Sequence, residues 1–244
     1  MKNQYFADIG DFGKYGLLRF LANQGIIISI NWYMTCDDGS NDGHFRQYLD
    51  NGQYRNRDPQ LFDELYKMHQ LRNYSIEAFE EKQLIPNATY YQAFIDSPGW
   101  SNKASSERLS ERVQWHKDAL AFCRDSSLIF LDPDNGLSKN SVNGWLTSPK
   151  YAFVDEALDY YRLGSDLVYY CHKGRRDPYK WNQALCLLKT KDPSIHIRAI
   201  TFHKGTQRTY VFAVHPERAE KYDGLLARFL KTDWGTDKLF TLEL

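Results

Sequence analysis

The sequence predicts an α/β fold: a mostly parallel sheet with helices on both faces and a C-terminal antiparallel hairpin. Apolar stretches of strand length alternate with segments whose apolar residues recur at helical spacing, which is the order of a parallel sheet. The clearest strand is Leu128–Leu131, which Asp132 and Pro133 end abruptly. Residues 195–202 and 209–215 alternate as strands around a six-residue connection and predict the hairpin.

The first half of the chain predicts a helix, a strand and a helical insertion. Asp11 lies near the expected N-cap of a helix that Gly25 ends. Residues 26–34 are β-branched and aromatic, so they predict a buried strand, which runs into a loop of acids and glycines at 35–43. Further helices are predicted at 59–71, 75–84 and 106–123. We therefore expect one domain over residues 1–244, with a helical insertion at about 58–126.

The second half alternates more regularly. After the strand at 127–131, the pattern predicts helices at 151–163, 179–189 and 219–230, and strands at 166–171 and 239–242. Alternation of this kind implies a parallel sheet, and the late hairpin adds antiparallel order at one edge.

Composition excludes some classes of protein. The 31 basic and 31 acidic residues cancel, so any contact with nucleic acid must come from a local basic patch. The segment Met1–Tyr5 has no apolar stretch of signal-peptide type, and no apolar run approaches a membrane span. The cysteines are widely spaced, without a Cys-x-x-Cys pair: Cys36, Cys123, Cys171 and Cys186. We expect a cytoplasmic protein with reduced thiols and no membrane association.

Polar clusters follow three of the predicted strands, at 35–43, 132–136 and 172–176. Ligands of open α/β sheets bind beyond the carboxyl ends of the strands, so parallel neighbours would bring these clusters to one crevice. Asp132, Asp134 and Asn135 are the candidate catalytic residues. The alternative is an ordinary Asn-Gly turn whose acids are solvated.

Three segments resemble the class I S-adenosylmethionine-dependent methyltransferases. They are Asp8–Tyr15 (Asp-Ile-Gly-Asp-Phe-Gly-Lys-Tyr), the acidic glycine loop and Phe130–Pro133 (Phe-Leu-Asp-Pro). The resemblance is nearest to the branch that makes N6-methyladenine in large-subunit ribosomal RNA, and to three-Cys-motif partner proteins. It implies a Rossmann-like fold of the class I methyltransferase type. In that branch the tetrapeptide is Asp-Pro-Pro-Tyr, whereas here Asp134 and Asn135 follow Pro133.

The resemblance also implies roles for individual residues. An acid at the position of Asp132 would accept hydrogen bonds from the amine that is methylated. Lys14 would lie near the carboxylate of S-adenosylmethionine, and Asp37 or Asp38 would bind its ammonium. The predicted cofactor-binding set is Asp8, Lys14, Asp37, Asp38, Gly39 and Gly43. The alternative is that Lys14 is a solvated helix residue and the loop acids are solvated too.

Basic residues form a second group. Lys173, Arg175 and Arg176 follow one strand, while Lys204 and Arg208 lie in the hairpin connection. If they share a rim, they would bind the phosphates of a nucleic acid. The alternative is scattered surface charge. No histidine spacing of a zinc site is present, and no metal ligand is assigned.

Three functions fit these residues. The leading hypothesis is a methyltransferase-like enzyme acting on nucleic acid, with adenine N6 as the candidate acceptor. The second is a Mg²⁺-dependent nuclease, in which acids and a lysine hold the metal and the phosphate: Asp8, Asp11, Asp132, Asp134 and Lys173. The third is a nucleic-acid-binding module that kept the fold without the chemistry.

Overall fold

A computed structural model describes residues 1–37, 39 and 43–244 and has a seven-stranded sheet at its centre. The strands are β1 (Ile28–Asn31), β2 (Thr89–Tyr91), β3 (Leu128–Leu131), β4 (Leu137–Ser138), β5 (Ala152–Phe153), β6 (Asp166–His172), β7 (His196–Phe202), β8 (Arg208–Val214) and β9 (Phe240–Leu242). Strands β4 and β5 form a separate two-stranded sheet, and the others form the main sheet in the order β2-β1-β3-β6-β8-β7-β9. Strand β3 has the predicted bounds.

The sheet is parallel at its core and antiparallel on one side. Strands β2, β1, β3 and β6 are parallel neighbours. Strand β8 runs antiparallel to both β6 and β7, and β9 runs antiparallel to β7. The predicted α/β class, the parallel core and the hairpin are confirmed. Because β8 lies between β6 and β7, the second strand of the hairpin joins the parallel core.

The helices are α1 (Ile9–Asn23), α2 (Gln47–Asp50), α3 (Pro59–Gln70), α4 (Ile76–Glu81), α5 (Ser105–Cys123), α6 (Val154–Arg162), α7 (Pro178–Leu185) and α8 (Ala219–Phe229). They cover both faces of the sheet. Along β3, Leu128 and Phe130 join a core with α1, α3 and α8, whereas Ile129 and Leu131 join a core with α5, α6 and α7. This double burial explains why β3 is an uninterrupted apolar run.

Helix α1 begins earlier than predicted. Its N-cap is Asp8, whose side chain accepts a hydrogen bond from the main-chain nitrogen of Asp11 at 2.9 Å. Aspartate is a favourable N-cap residue at either position, and the sequence pattern predicted Asp11 where the structure has Asp8. The earlier start places Asp11 inside the first turn of α1, three residues before Lys14 on the same helix.

Strand β1 is shorter than the predicted 26–34. Tyr33 has a φ of +49°, a left-handed conformation that is incompatible with a continuing strand. Helix α6 begins at Val154 and not at residue 151, because Ala152 and Phe153 pair with the segment after β3.

Among the described residues, no helix combines the length and the apolar character that a membrane span requires. Cys36, Cys123, Cys171 and Cys186 are free thiols.

Candidate active site

A cavity lies where the strand order reverses. From β1 the chain passes to β2 on one side and then to β3 on the other, and ligands of open α/β sheets bind outside the carboxyl ends of strands at such a point. The cavity encloses about 240 Å³. Two segments that the sequence analysis singled out line it: the first part of α1, with Asp11 and Lys14, and the turn Asp132–Asn135 after β3. Its other lining residues are Met1, Tyr5, Lys150, Tyr170, Arg208 and Tyr210.

A buried ion pair joins these two elements. Nζ of Lys14 lies 2.7 Å from Oδ2 of Asp132 and 2.9 Å from Oδ1 of Asp11. Burial disfavours the charged amine, but the two carboxylates outweigh burial and raise the pKa of Lys14. The ammonium also lies 5.1 Å from the ring centroid of Trp32, within cation–π range. Lys14 is therefore a buried, charged residue of the cavity, and the interpretation as a solvated helix residue is wrong.

Arg208 extends the network on the other side of α1. Its Nη2 lies 2.6 Å from Oδ2 of Asp8, and its Nη1 lies 3.5 Å from Oδ1 of Asp11. Gly10 makes this approach possible, because a Cβ there would lie 1.9 Å from Cζ of Arg208. Burial opposes the charge of Arg208, but Asp8 and Asp11 outweigh it and raise its pKa. Burial likewise raises the pKa of Asp11, against the lowering effect of Lys14.

The network leaves acidic oxygens for a ligand. Among the described residues, only Lys14 donates a hydrogen bond to the Asp132 side chain, and it does so to Oδ2. Oδ1 is therefore available within the cavity. Asp134 is partly exposed, and its Oδ1 lies 3.4 Å from the main-chain nitrogen of Met1. Asn135 is exposed, and its main chain donates to the carbonyl of Lys150 at 2.8 Å. The three predicted catalytic residues thus lie together, with different degrees of burial.

Two strained main-chain positions adjoin this region. Tyr33, two residues beyond β1, has a φ of +49°, and its carbonyl accepts a hydrogen bond from the nitrogen of Met1 at 2.9 Å. Ala7, which precedes the N-cap Asp8, has a φ of +61°. Left-handed conformations of residues other than glycine cost free energy and concentrate at functional sites.

A second, more open cavity of about 500 Å³ shares Asn135 with the first. Basic residues dominate its lining: Lys173, Arg175, Arg176 and Lys180. Three of the five residues predicted to share a rim therefore line one cavity. The other two lie elsewhere, since Lys204 is 5.8 Å from the ring centroid of Tyr54 and Arg208 binds Asp8. The two basic residues of the hairpin connection therefore contact Tyr54 and Asp8 and do not join the basic residues that follow β6.

The acidic glycine loop contacts the N-terminal segment. Asp37 is exposed, and its Oδ1 accepts a hydrogen bond from the main-chain nitrogen of Gln4 at 3.2 Å. The nitrogen of Gly39 donates to the Gln4 side chain at 3.3 Å, and Gly43 packs against Tyr5. None of these three loop residues is among the described residues that line the cavity. Asp38, predicted with them, lies outside the described residues.

Two buried arginines of α5 were not predicted as part of the site. Nε of Arg108 donates to the carbonyl of Gly144 at 2.6 Å. Arg112 donates to the carbonyls of Ser148 and Tyr151, each at 2.7 Å. They fix the connection between β4 and β5, which brings Lys150 to the first cavity and Tyr151 to the second. On a helical pattern these arginines look like ordinary surface charges.

No cluster of three or more potential metal-binding side chains occurs within residues 1–37, 39 and 43–244. Of the acids that the nuclease hypothesis assigns to Mg²⁺, Asp8, Asp11 and Asp132 each contact Lys14 or Arg208. The nuclease alternative stays a prediction.

A buried carboxyl lies behind the cavity wall. Glu80 is 5% exposed and accepts a hydrogen bond from Nε1 of Trp32, the residue whose ring faces Lys14. Burial raises the pKa of Glu80 from 4.5 to about 7, although the bond from Trp32 lowers it. The folded protein therefore holds this proton over a pH range in which the unfolded chain releases it.

Glu80→Gln is expected to remove a pH-dependent loss of stability. Because its pKa is raised in the folded state, Glu80 contributes stability at pH 4.5 that is lost as the pH rises to about 7. The loss should be on the order of 1–2 kcal/mol. Urea denaturation at pH 5 and pH 8 measures it, with Glu81→Gln, an exposed neighbour on the same helix, as control. Identical pH dependence in native protein and Glu80→Gln would contradict the raised pKa.

A scan against models of protein families finds no match to this chain, and a search of curated proteins finds no significant relative.

Proposed function

We propose that this chain is an S-adenosylmethionine-dependent, methyltransferase-like enzyme acting on nucleic acid, in which Asp132 holds the acceptor amine. The observation that carries the proposal is the buried pair between Lys14 and Asp132 at the reversal of strand order. Fold topology supports it, because four parallel strands with a reversed hairpin at one side agree with the resemblance to class I methyltransferases.

The charges around the first cavity suit a zwitterionic ligand. Lys14 and Arg208 are cations that can meet a carboxylate, and Asp134 is an acid that can meet an ammonium. The methionine part of S-adenosylmethionine carries both groups. Small-molecule sites usually enclose about 300–1,000 Å³, so a cavity of about 240 Å³ fits this part alone. The adenosyl part would lie outside this cavity.

Positioning is what the protein has to supply. The methyl group of the sulfonium is already activated, so the transfer needs an oriented acceptor more than a strong base. Oδ1 of Asp132 can accept a hydrogen bond from an amine and so direct its lone pair. Lys14 holds the other oxygen at 2.7 Å, which fixes the orientation of the carboxylate. The basic side chains of the second cavity would hold phosphates of the same substrate.

Asp132→Asn is expected to lower methyl transfer to bulk RNA or DNA by about 100-fold or more, as does removal of one preorganised electrostatic group in other enzymes. Transfer from methyl-labelled cofactor measures the rate, and calorimetric titration with S-adenosylhomocysteine measures cofactor binding. Binding should persist in the variant, because Lys14 keeps its second partner, Asp11. Asp125→Asn, an exposed acid at the end of α5, is the matched control.

Three outcomes contradict the proposal. If the native protein does not bind S-adenosylhomocysteine, the assignment of S-adenosylmethionine as cofactor is refuted. Mg²⁺-dependent cleavage that disappears in Asp132→Asn supports the nuclease instead. Salt-sensitive binding of nucleic acid without either activity supports the binding module.

A further inference from the structure

The basic second cavity continues into a third one that is largely apolar. The third cavity encloses about 630 Å³ and shares Tyr151, Arg176 and Lys180 with the second. Its wall is formed by Leu137 and by the face of α7 and the turn after it. The two cavities therefore form one continuous groove, which starts at Asn135 beside the candidate catalytic acid and ends along α7.

The two halves of this groove offer different chemistry. Near Asn135 the side chains of Lys173, Arg175 and Arg176 provide positive charge. Arg175 makes no ion pair with a described residue, whereas the head group of Arg176 donates to the main-chain carbonyls of His172 and Lys173. A guanidinium group without an ion-pair partner, such as that of Arg175, can bind phosphate oxygens in bidentate fashion.

Toward α7 the groove offers an aromatic ring on an apolar wall. Tyr179 is 73% exposed and lies at the start of α7, next to the basic residue Lys180. Leu137, Ala184 and Leu187 complete the apolar wall. A large exposed aromatic ring beside cations is the arrangement on which unpaired bases stack.

We infer that the groove binds single-stranded nucleic acid, with phosphates on Lys173, Arg175 and Arg176 and an unpaired base against Tyr179. The phosphates of a duplex could bind the cations of the groove. Its bases could not stack on Tyr179 in the apolar half, because their faces are already covered by neighbouring base pairs. A strand in this groove would place a neighbouring nucleotide at Asn135, next to Asp132. In that respect the inference rests on the proposed function and names its substrate as an unpaired strand.

Fluorescence anisotropy with labelled 12-nucleotide probes tests the inference. RNA and DNA single strands of mixed sequence should both bind more tightly than a duplex of the same sequence, and the comparison of the two strands identifies the preferred backbone. Arg175→Glu combined with Arg176→Glu should weaken strand binding at least tenfold and reduce the slope of log affinity against log salt by about 1.4. Lys221→Glu combined with Lys231→Glu, two exposed lysines outside the groove, is the control.

Tyr179→Ala separates stacking from charge. It should weaken strand binding about 5- to 150-fold, leave the salt slope unchanged and spare duplex binding. Tyr66→Ala, another exposed tyrosine, should change nothing. The inference is overturned if Tyr179→Ala has no effect, if the duplex binds as tightly as the strands, or if adenosine monophosphate alone binds as tightly as the oligonucleotides. Strand binding without S-adenosylhomocysteine binding would refute the proposed function and leave the groove intact; the reverse pattern would refute only the groove.

Discussion

Lys14→Met is expected to destabilise the protein by about 3–5 kcal/mol, because it leaves the buried carboxylate of Asp132 without a cation and that of Asp11 with only the more distant Arg208. Asp11 and Asp132 both bind the ammonium within 2.9 Å, and both are less than 10% exposed. Urea denaturation at pH 8 measures the loss. The deficit should shrink toward pH 5, since carboxyl groups that have lost their cation can take up protons.

A double-mutant cycle distinguishes the ion pair from simple loss of packing. Lys14→Met combined with Asp132→Asn should be more stable than the sum of the two single changes predicts, because the second change removes an unpaired charge. Lys67→Met is the control: its partner Glu64 lies 2.5 Å away on a solvated surface, and screened pairs contribute little. Additive effects in the cycle, or a Lys14→Met variant as stable as the native protein, would contradict a buried charge network at this site.

Arg112→Met is expected to cost about 3–5 kcal/mol as well, for a related reason. Arg112 is fully buried, binds both carboxylate oxygens of Glu156 at 2.8 Å and donates to the carbonyls of Ser148 and Tyr151. Glu156 is 2% exposed, so its charge would remain without a counterion. Urea denaturation measures the cost, and Glu156→Gln in the same chain should recover part of it.

The same substitution should also affect the groove. Tyr151 lines both the basic and the apolar halves, and Arg112 holds its main chain. We therefore expect strand binding to weaken in Arg112→Met even under conditions where the variant is folded. Arg55→Met is the matched control, because Arg55 makes a similar two-bond pair with Asp63 on the open surface. Unchanged stability in Arg112→Met would show that the connection between β4 and β5 is held by other contacts.

The sheet was predictable where local pattern and burial agree. Leu128–Leu131 is apolar on both faces and ends at an acid and a proline, so its bounds and the polar turn that follows it could both be predicted. The hairpin of β7 and β8 was equally clear, because its strands alternate around a polar connection. The resemblance implied separate roles for Lys14 and Asp132, and their direct contact is a finding of the structure.

The remaining features depend on contacts between distant segments. Nothing in a helical pattern marks Arg112 as buried, since its burial comes from a connection about 40 residues later that covers α5. Arg208 was expected at an open rim, but Gly10 lets it approach α1 and bind Asp8. The left-handed conformation of Tyr33, which ends β1 early, has no local signal in an aromatic stretch.

The most direct test of the account is a crystal structure of the protein grown with saturating S-adenosylhomocysteine. We predict electron density for the amino-acid part of the ligand in the first cavity, within hydrogen-bonding distance of Lys14 or Arg208 and of Asp134. Density for the ligand at any other place, or a first cavity that stays free of ligand at saturation, would contradict the assignment of this cavity as the cofactor site.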